Sequence, residues 1–509
     1  MALLGPIIKT ALHLHDSFSS TADHVEAQEK VLRKLLKTAK NTSFGLYYDF
    51  AGILEEDEVA SAFAKAVPYF DYHEMNEKWW NQMKAGNPDI AWPGSPKFLA
   101  RSSGTTGKKS KTIPVTEEMI DAIKAAGTRQ VSSLTHFDLP NEAFESEVLA
   151  LGSSTALDEE DGFIIGEISG ISASQIPEFL DAFYRPGREI SSIEDWDQRV
   201  ERIAEEAKNW DIGMLSGIPS WMEMMLKKVM DYHQADSIHE IWPNLSVYTS
   251  GGVAFEPYRT SLEKLFSRPV QIIDTYLASE GFIACQQRPD TDAMELITDG
   301  GIYFEFVPFQ PEYVAQDGSI KEGAPVLNLK EIEEDVDYAL IISTVAGAWR
   351  YLIGDTIKFT DKSRAEIKIT GRTKFFLNVV GSQLSVLKME TAITELQQQF
   401  DTSIKEFTVC AKKIEGEFHH VWYLGTATSA SEDELAQALD QKLAEANKNY
   451  KVARKKALKG IRVHKVSPKL FADWNDHNKK KGGQVKMEKV MKEEQFATWE
   501  DFVKGQKTK

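Results

Sequence analysis

Ser102-Ser103-Gly104-Thr105-Thr106-Gly107-Lys108-Lys109-Ser110-Lys111 gathers five hydroxyls, two glycines and three lysines into one short run. Glycine lets a backbone fold tightly enough to turn its N–H groups toward an anion. Hydroxyls donate to phosphate oxygens, and lysine adds charge. The run therefore suits a phosphate cradle. It is not a Walker A loop, which keeps four residues between its first glycine and its Gly-Lys; Gly104 and Gly107 enclose two. A Ser/Thr/Gly surface turn with solvated lysines has the same composition, so the rest of the chain must decide.

Working outward, helical periodicity over 59–66, 75–83, 120–135, 196–210 and 220–232 alternates with strand-like runs at 148–152, 246–249 and 270–275. Such alternation predicts α/β layers. The stretches 301–308, 338–344, 357–359 and 366–370 are β-rich, and beyond Gly371 the pattern becomes a small α+β set. There, helices are expected at 386–399, 432–448 and 490–503 and strands at 407–411 and 420–425. Gly45 reads as a helix stop, His419-His420 as a strand-edge pair, and the basic run 448–465 as a solvated helix face.

Four further stretches could carry chemistry. Asp274-Thr275-Tyr276-Leu277-Ala278-Ser279-Glu280-Gly281 follows an apolar run and is expected in the loop after a strand, the edge where open α/β sheets bind ligands. Tyrosine can offer a face to a purine, serine a hydroxyl to phosphate, and glutamate a hard oxygen to Mg²⁺. A routine strand-to-helix loop with Glu280 near a helix start reads equally well. In Trp349-Arg350-Tyr351-Leu352-Ile353-Gly354-Asp355, an aspartate after glycine at a strand end can accept from ribose hydroxyls, or can simply sit in a hairpin turn. Gly371-Arg372-Thr373-Lys374 stands where the pattern changes, as a hinge or a plain linker. Gly482-Gly483-Gln484-Val485-Lys486-Met487 could swing a lysine onto a phosphate, or be an exposed tail lysine.

Charge supports two parts. Residues 1–371 carry 34 basic and 59 acidic groups, or −25; residues 372–509 carry 25 and 18, or +7. The total of −18 argues against a nucleic-acid binder or a chain that adheres to anionic lipid. Cys285 and Cys410 match no metal or disulfide framework, so a reducing compartment is expected. No apolar run reaches the roughly 18 residues of a membrane span, and the first residues lack the form of a signal peptide. A soluble, cytoplasmic protein is the expectation. His-Glu-x-x-His, paired Cys-x-x-Cys and Gly-x-Ser-x-Gly do not occur.

Taken in order, these motifs resemble those of the adenylate-forming superfamily of acyl-CoA synthetases, luciferases and peptide adenylation domains. The closer resemblance is to its Gretchen Hagen 3 (auxin-responsive) acyl acid amido synthetases, as a bacterial-type member. The phosphate loop has that family's longer spacing, running to Lys111 and Ile113-Pro114. Gln28, Leu32, Leu35, Leu36, Ala39, Thr42, Phe44 and Gly45, then Pro219-Ser220-Trp221, Ser250-Gly251-Gly252, Arg350-Tyr351 with Gly354-Asp355, and Gly483-Gln484-x-Lys486 are similar to its patterns. Two departures are visible: Tyr-Leu-Ala-Ser-Glu has larger interior residues than many relatives, and Met487-Glu488 stands where a basic ending is usual.

The resemblance implies a large N-terminal α/β domain with a β-rich subdomain of the luciferase-like type, residues 1–371, and a small mobile α+β cap, residues 372–509. It implies ATP as substrate, with Ser102, Ser103, Thr105, Thr106 and Lys111 as the phosphate loop, and Gly251 and Gly252 flanking adenine. Tyr276 would stack on the purine, Ser279 touch the α-phosphate, Glu280 hold Mg²⁺, and Thr275 lie near the acyl-adenylate. Asp355 would bind ribose hydroxyls with Arg372 nearby at the hinge, and Lys486 would serve adenylation. The implied activity joins a carboxylic acid, through acyl-AMP, to an amine, an amino acid being the expected one. An AMP-forming acyl-CoA ligase and a non-catalytic nucleotide sensor are the alternatives. The acid pocket is expected among 119–131, 151–155 and 216–221, and no acceptor-selecting arginine feature is readable.

Overall fold

The computed structural model of the chain describes residues 9–13, 23–102, 111–252, 255–310, 312–315, 318–373, 376–377, 384–415, 417–447, 450–451, 454, 458–477, 487–491 and 493–507. In chain order the strands of the large part are β1 (Phe98–Ser102), β2 (Lys111–Val115), β3 (Glu147–Leu151), β4 (Asp158–Glu160), β5 (Phe163–Gly166), β6 (Tyr184–Arg185), β7 (Ile212–Gly217), β8 (Val247–Gly251) and β9 (Gln271–Ala278). They continue as β10 (Gly281–Cys285), β11 (Met294–Leu296), β12 (Ile302–Pro308), β13 (Asp337–Thr344), β14 (Tyr351–Asp361) and β15 (Glu366–Arg372). Among the described residues, an eleven-stranded sheet has the order β12-β13-β14-β15-β11-β10-β9-β8-β7-β3-β6, and a four-stranded sheet the order β2-β1-β5-β4.

The large sheet has two characters. β6, β3, β7, β8 and β9 run parallel, which requires crossover connections. The helices Trp196–Glu206 and Pro219–His233 lie in these crossovers and bury Val200 and Ile203 on one, Met222, Met225, Leu226 and Val229 on the other. That spacing of three and four is an amphipathic helix face. From β9 onward, through β10, β11, β15, β14, β13 and β12, every pairing is antiparallel. The body is thus α/β with a β-rich part, as the sequence predicts.

The helix His24–Ala39 closes the far edge. Asp23 caps it by accepting from the Glu26 amide, and Val31, Leu32, Leu35, Leu36 and Ala39 face inward. Gln28, buried on the same face, donates to the carbonyls of Thr298 and Ile302 at 2.7 and 2.8 Å and accepts from the Phe304 amide at 2.7 Å. Its side-chain amide thereby does for the open edge of β12 what a further strand would do.

The C-terminal part is a smaller α+β unit. β16 (Phe376–Leu377) pairs with β17 (Leu384–Ser385), while β18 (Phe407–Ile414) and β20 (Leu458–Val466) flank β19 (Glu417–Gly425). The helices Val386–Gln399 and Glu432–Ala446 cover this sheet, the second begun by a Ser431–Glu434 capping box. Leu396, Phe407, Trp422, Leu439 and Val463 form its own core. It touches the large part through Glu223 of the helix Pro219–His233. Lys405 and Lys227 both pair with Glu223, Lys227 at 2.6 Å, and Ser261 donates to it at 3.0 Å. Burial alone would raise this carboxyl, but the two lysines outweigh it and hold it below the usual range.

Several expectations need correction. Thr275 and Tyr276 do not sit in a loop: β9 continues through Ala278, and Ser279-Glu280 turn directly into antiparallel β10. Asp355 lies inside β14 rather than at a strand end or in a hairpin turn. Gly45 does not end a helix but belongs to Ser43–Tyr47, begun by Thr42. A side chain there would meet the Ala39 carbonyl at 2.1 Å, so only glycine fits. The run 448–465 is not a helix face throughout, because Leu458–Val466 is a strand parallel to β19. His420 is therefore interior, not at an edge, and is fully buried. No described helix is long and apolar enough to cross a membrane. Cys285 and Cys410 are free and buried.

Candidate functional site

Ser102 and Lys111, the first and last residues of the polar run, face each other as the last described pair of the β1–β2 ladder. Ser103, Thr105 and Thr106 lie outside the described residues, as does Lys486. What the structure describes is how Lys111 is seated. Its ammonium lies over the Tyr72 ring, 4.8 Å from the centroid. The Tyr72 hydroxyl accepts from the Thr112 amide at 3.1 Å and reaches the Thr112 carbonyl at 3.4 Å. Lys84 donates to the Thr112 hydroxyl at 3.2 Å. Tyr72 and Lys84 bracket a single π-helical turn, Asn76–Trp80.

A second group of residues brings together β9, the turn that follows it, β14 and β15. Gly354, at φ +92°, kinks β14 in a conformation that favours glycine. Asp355 follows it and pairs in register with Arg372 on β15. The Asp355 carboxylate accepts from the Tyr276 hydroxyl and lies 3.1 Å from the Arg372 Nε. Arg372 also reaches the Ile353 carbonyl at 3.3 Å. Tyr276, 6% exposed, is therefore committed through its hydroxyl to Asp355.

Glu280 is 8% exposed in the turn after β9. Burial, reinforced by Asp355, pushes its carboxyl up to about 7 against the pull of Lys111 and Arg372. The Tyr351 hydroxyl is hydrogen-bonded to Glu280, and its ring packs 5.3 Å from that of Trp80. Ser279 lies beside Glu280 in the same turn. Glu280 thus feels both Lys111 and Arg372, while Asp355 is paired with Arg372.

The parallel half brings its own strand ends to this edge. Leu151 of β3 is level with Gly217 of β7, Gly217 with Ser250 of β8, and Gly251 with Thr275 of β9. The Thr275 hydroxyl donates to the Ser250 carbonyl at 2.9 Å. A side chain at Gly251 would strike that hydroxyl at 2.6 Å, and Gly252 sits at φ +78° against Ile218. Close approach requires glycine at 251 and the positive φ favours it at 252, which leaves backbone as the surface beside them. The stretches 151–155 and 216–221, expected to wall the acid pocket, leave neighbouring parallel strands side by side.

Arg350 anchors the whole from behind. It is 3% exposed, at φ +42°, and bonds Glu305 at 3.0 and 3.1 Å, the Ala64 carbonyl at 2.8 Å and the Val67 carbonyl. A non-glycine residue persists in that backbone region when its surroundings over-determine it. Arg350 fixes the start of β14, and with it Tyr351 and Asp355. Tyr72, Lys84 and Tyr351 were not assigned roles from sequence. Only Tyr351 carried a signal, standing four residues before Asp355 and hence on the same face of a strand.

Comparison with known proteins agrees with this architecture. The GH3 family N-terminal domain matches residues 14–201, its central domain 295–372 and its C-terminal domain 388–495. The indole-3-acetic acid-amido synthetase GH3.8 of Oryza sativa subsp. indica is 26% identical over 50% of this chain and 44% of its own. The jasmonoyl–L-amino acid synthetase GH3.5 of Oryza sativa subsp. japonica is 27% identical over 91% of each. The chain thus spans less than half of the first relative and most of the second. Among solved structures, a GH3.15 acyl acid amido synthetase superposes with TM-score 0.76 at 17% identity, over 96% of this chain and 95% of that one. A 2-hydroxyisobutyryl-CoA ligase in the postadenylation state superposes with TM-score 0.58 at 13% identity, over 94% and 92%. These structural likenesses establish a shared fold. With all three domain matches in chain order across most of its length, the chain belongs to the GH3 family.

Proposed function

We propose that this protein is an ATP-dependent acyl acid amido synthetase. The observation that carries this reading is the convergence of Glu280, Tyr351, Tyr276, Asp355 and Arg372 on the root of the polar loop in a GH3 chain. In the first half-reaction, a carboxylate oxygen attacks the α-phosphorus of ATP and pyrophosphate leaves, giving acyl-AMP. In the second, an amine attacks the acyl carbon; the C–N bond forms, AMP departs with the electron pair, and the nitrogen gives up one proton to become the amide N–H.

Each residue's role follows from its chemistry. Ser102, Ser103, Thr105, Thr106 and Lys111 receive the phosphates, with Lys111 held over Tyr72. Asp355 accepts from the ribose hydroxyls, oriented by Tyr276 and Arg372. Tyr276 lines the adenine side together with Gly251 and Gly252, whose bare backbone admits a flat base. Ser279 lies at the α-phosphate and Thr275 at the acyl group. Lys486 serves adenylation from the C-terminal part. The residues fit Mg²⁺: no group of three or more metal-ligating side chains occurs among the described residues, but this ion typically takes one or two carboxylates and completes its shell with phosphate oxygens and water. Glu280 would hold it, and bound there it would neutralise charge on the phosphates.

We further assign residues 1–371 as the body and 372–509 as a cap that closes over the nucleotide, shielding acyl-AMP from water. The reduced cysteines and the need for ATP suit the cytoplasm. The deciding experiment measures acid-dependent pyrophosphate release over a panel of aromatic and short aliphatic acids. Product mass is then read with pooled amino acids or with CoA. Amide is expected; thioester alone would make the protein an acyl-CoA ligase, and no pyrophosphate with any acid would make it a sensor.

A further inference from the structure

Arg199 sits on the helix Trp196–Glu206 and is 4% exposed. Its guanidinium packs on the Trp196 ring, 5.3 Å from the centroid. Its Nε is enclosed without an acceptor, and no ion pair or hydrogen bond reaches the guanidinium among the described residues. Burial holds its pKa below the ordinary arginine value, with Glu167 as the carboxylate opposing that shift. A buried charge left in this condition is costly, and the usual remedy is a counter-charge.

The surroundings are those of a ligand site. Trp196 meets Trp221 at 4.9 Å, and Trp221 stands in the first turn after β7. Ser153, just past the end of β3, donates to Glu167, and the Ser169 hydroxyl joins Ser153 at 3.1 Å. Ser172, one turn beyond Ser169 on the helix Ile168–Ser174, has an enclosed hydroxyl with no partner among the described residues. β3 and β7 are neighbours, and β7 lies beside β8, the strand that carries Gly251. The cluster therefore occupies the carboxyl edge of the parallel half, adjoining the expected acid pocket and away from the Asp355–Arg372 pair.

We propose that Arg199 binds the carboxylate of an α-amino acid acceptor, with Glu167 facing its ammonium group. This rests on the amide-forming reading above and names its acceptor site. The alternative owner of a carboxylate is the acyl acid. Its own carboxylate, however, must reach the α-phosphorus and is consumed in the mixed anhydride, and a guanidinium gripping it would oppose that transfer. The acceptor's carboxylate persists through the whole reaction, as a buried arginine on the far side of β8 requires.

The test uses the full-length enzyme, one accepted acid, and three acceptors: pooled L-amino acids, the matching L-amino acid amides, and hydroxylamine, an amine with no carboxylate. Pyrophosphate exchange reports the first half-reaction separately. Arg199→Met is expected to raise KM for amino acids about tenfold or more, the scale of a lost charged hydrogen bond. It should leave hydroxamate formation and exchange within about twofold, and erase the preference for an amino acid over its amide. Arg199→Lys recovers part of the loss. Glu167→Gln raises KM for amino acids and amides alike. The melting temperature of Arg199→Met should not fall, since an uncompensated charge is being removed. The assignment is overturned by an unchanged amino acid KM, by parallel loss with all acceptors, or by a raised KM for the acyl acid in exchange. A wild-type enzyme that makes hydroxamate but no amide with any amino acid overturns the amide-forming reading and this site together. Variant effects with a competent wild type bear on the site alone.

Discussion

Arg350 and Arg199 are equally hidden, at 3% and 4% exposure, yet they live in opposite conditions. Arg350, in the antiparallel half, spends its guanidinium on Glu305 and two carbonyls of the N-terminal helices. Arg199, in the parallel half, has an aromatic face and, among the described residues, no acceptor. The same holds for their neighbourhoods. In the same antiparallel half, the polar groups proposed to serve the nucleotide are already bonded, Tyr276 and Arg372 to Asp355 and Tyr351 to Glu280. On the helix Ile168–Ser174, just past Glu167, Ser172 is also unpartnered among the described residues. The first region is a preorganised frame whose geometry exists before any ligand arrives. The second is incomplete, and what completes it is expected to come from outside.

Arg350→Ala is the strongest way to break the contrast. It leaves Glu305 buried and unpaired, and such a loss costs about 3–5 kcal/mol; denaturant midpoints should show it, and a near-neutral result would dissolve the distinction between the two arginines. Arg199→Met should move the midpoint the other way or not at all.

Next in size is the pH dependence carried by Glu280. Its folded value of about 7 lies above the free value of 4.5, so the folded chain keeps a proton that the unfolded chain gives up. Stability without nucleotide should therefore fall as pH rises from about 4.5 to 7, by about 3 kcal/mol in all, then level off. Melting curves across that window for wild type and Glu280→Gln test it; an identical slope in the variant would remove Glu280 as the source.

Asp355→Asn keeps the shape but weakens the acceptor for Tyr276 and for the ribose it is proposed to bind. Pyrophosphate exchange should fall about a hundredfold, near 2.7 kcal/mol, with the fold intact. Lys405→Ala should have the smallest effect, about 1 kcal/mol or less, because Lys227 still neutralises Glu223. Its readout is a more extended small-angle scattering profile, since Lys405 ties the C-terminal part to the body.

What could be read from sequence follows the range of the interactions. The helix Val386–Gln399 was legible because a helix advertises its buried face every three or four residues. Ser102, Lys111, Tyr276, Glu280 and Asp355 were legible because each lies in a short ordered motif. Leu458–Val466 was not, because a lysine-rich strand whose exposed positions are basic mimics a solvated helix. Tyr72 was hidden because its partner Thr112 is 40 residues away, and its role exists only once both are folded. Arg199 was hidden for a related reason: on a helix it reads as one more polar position between apolar ones. Only the packed structure reveals that this position is enclosed and that, among the described residues, its Nε finds no acceptor.

Gln28 also sets a timetable. Its three backbone partners lie some 270 residues downstream, so the N-terminal helix emerges from the ribosome long before the strand edge it must cover. At about 5–20 residues per second, that interval is roughly 15–55 seconds. Throughout it, the helices Phe50–Glu55 and Val59–Ala66 that pack on the same helix have been made, while the strand edge that Gln28 bonds has not. The waiting time of Gln28 scales directly with the rate of translation.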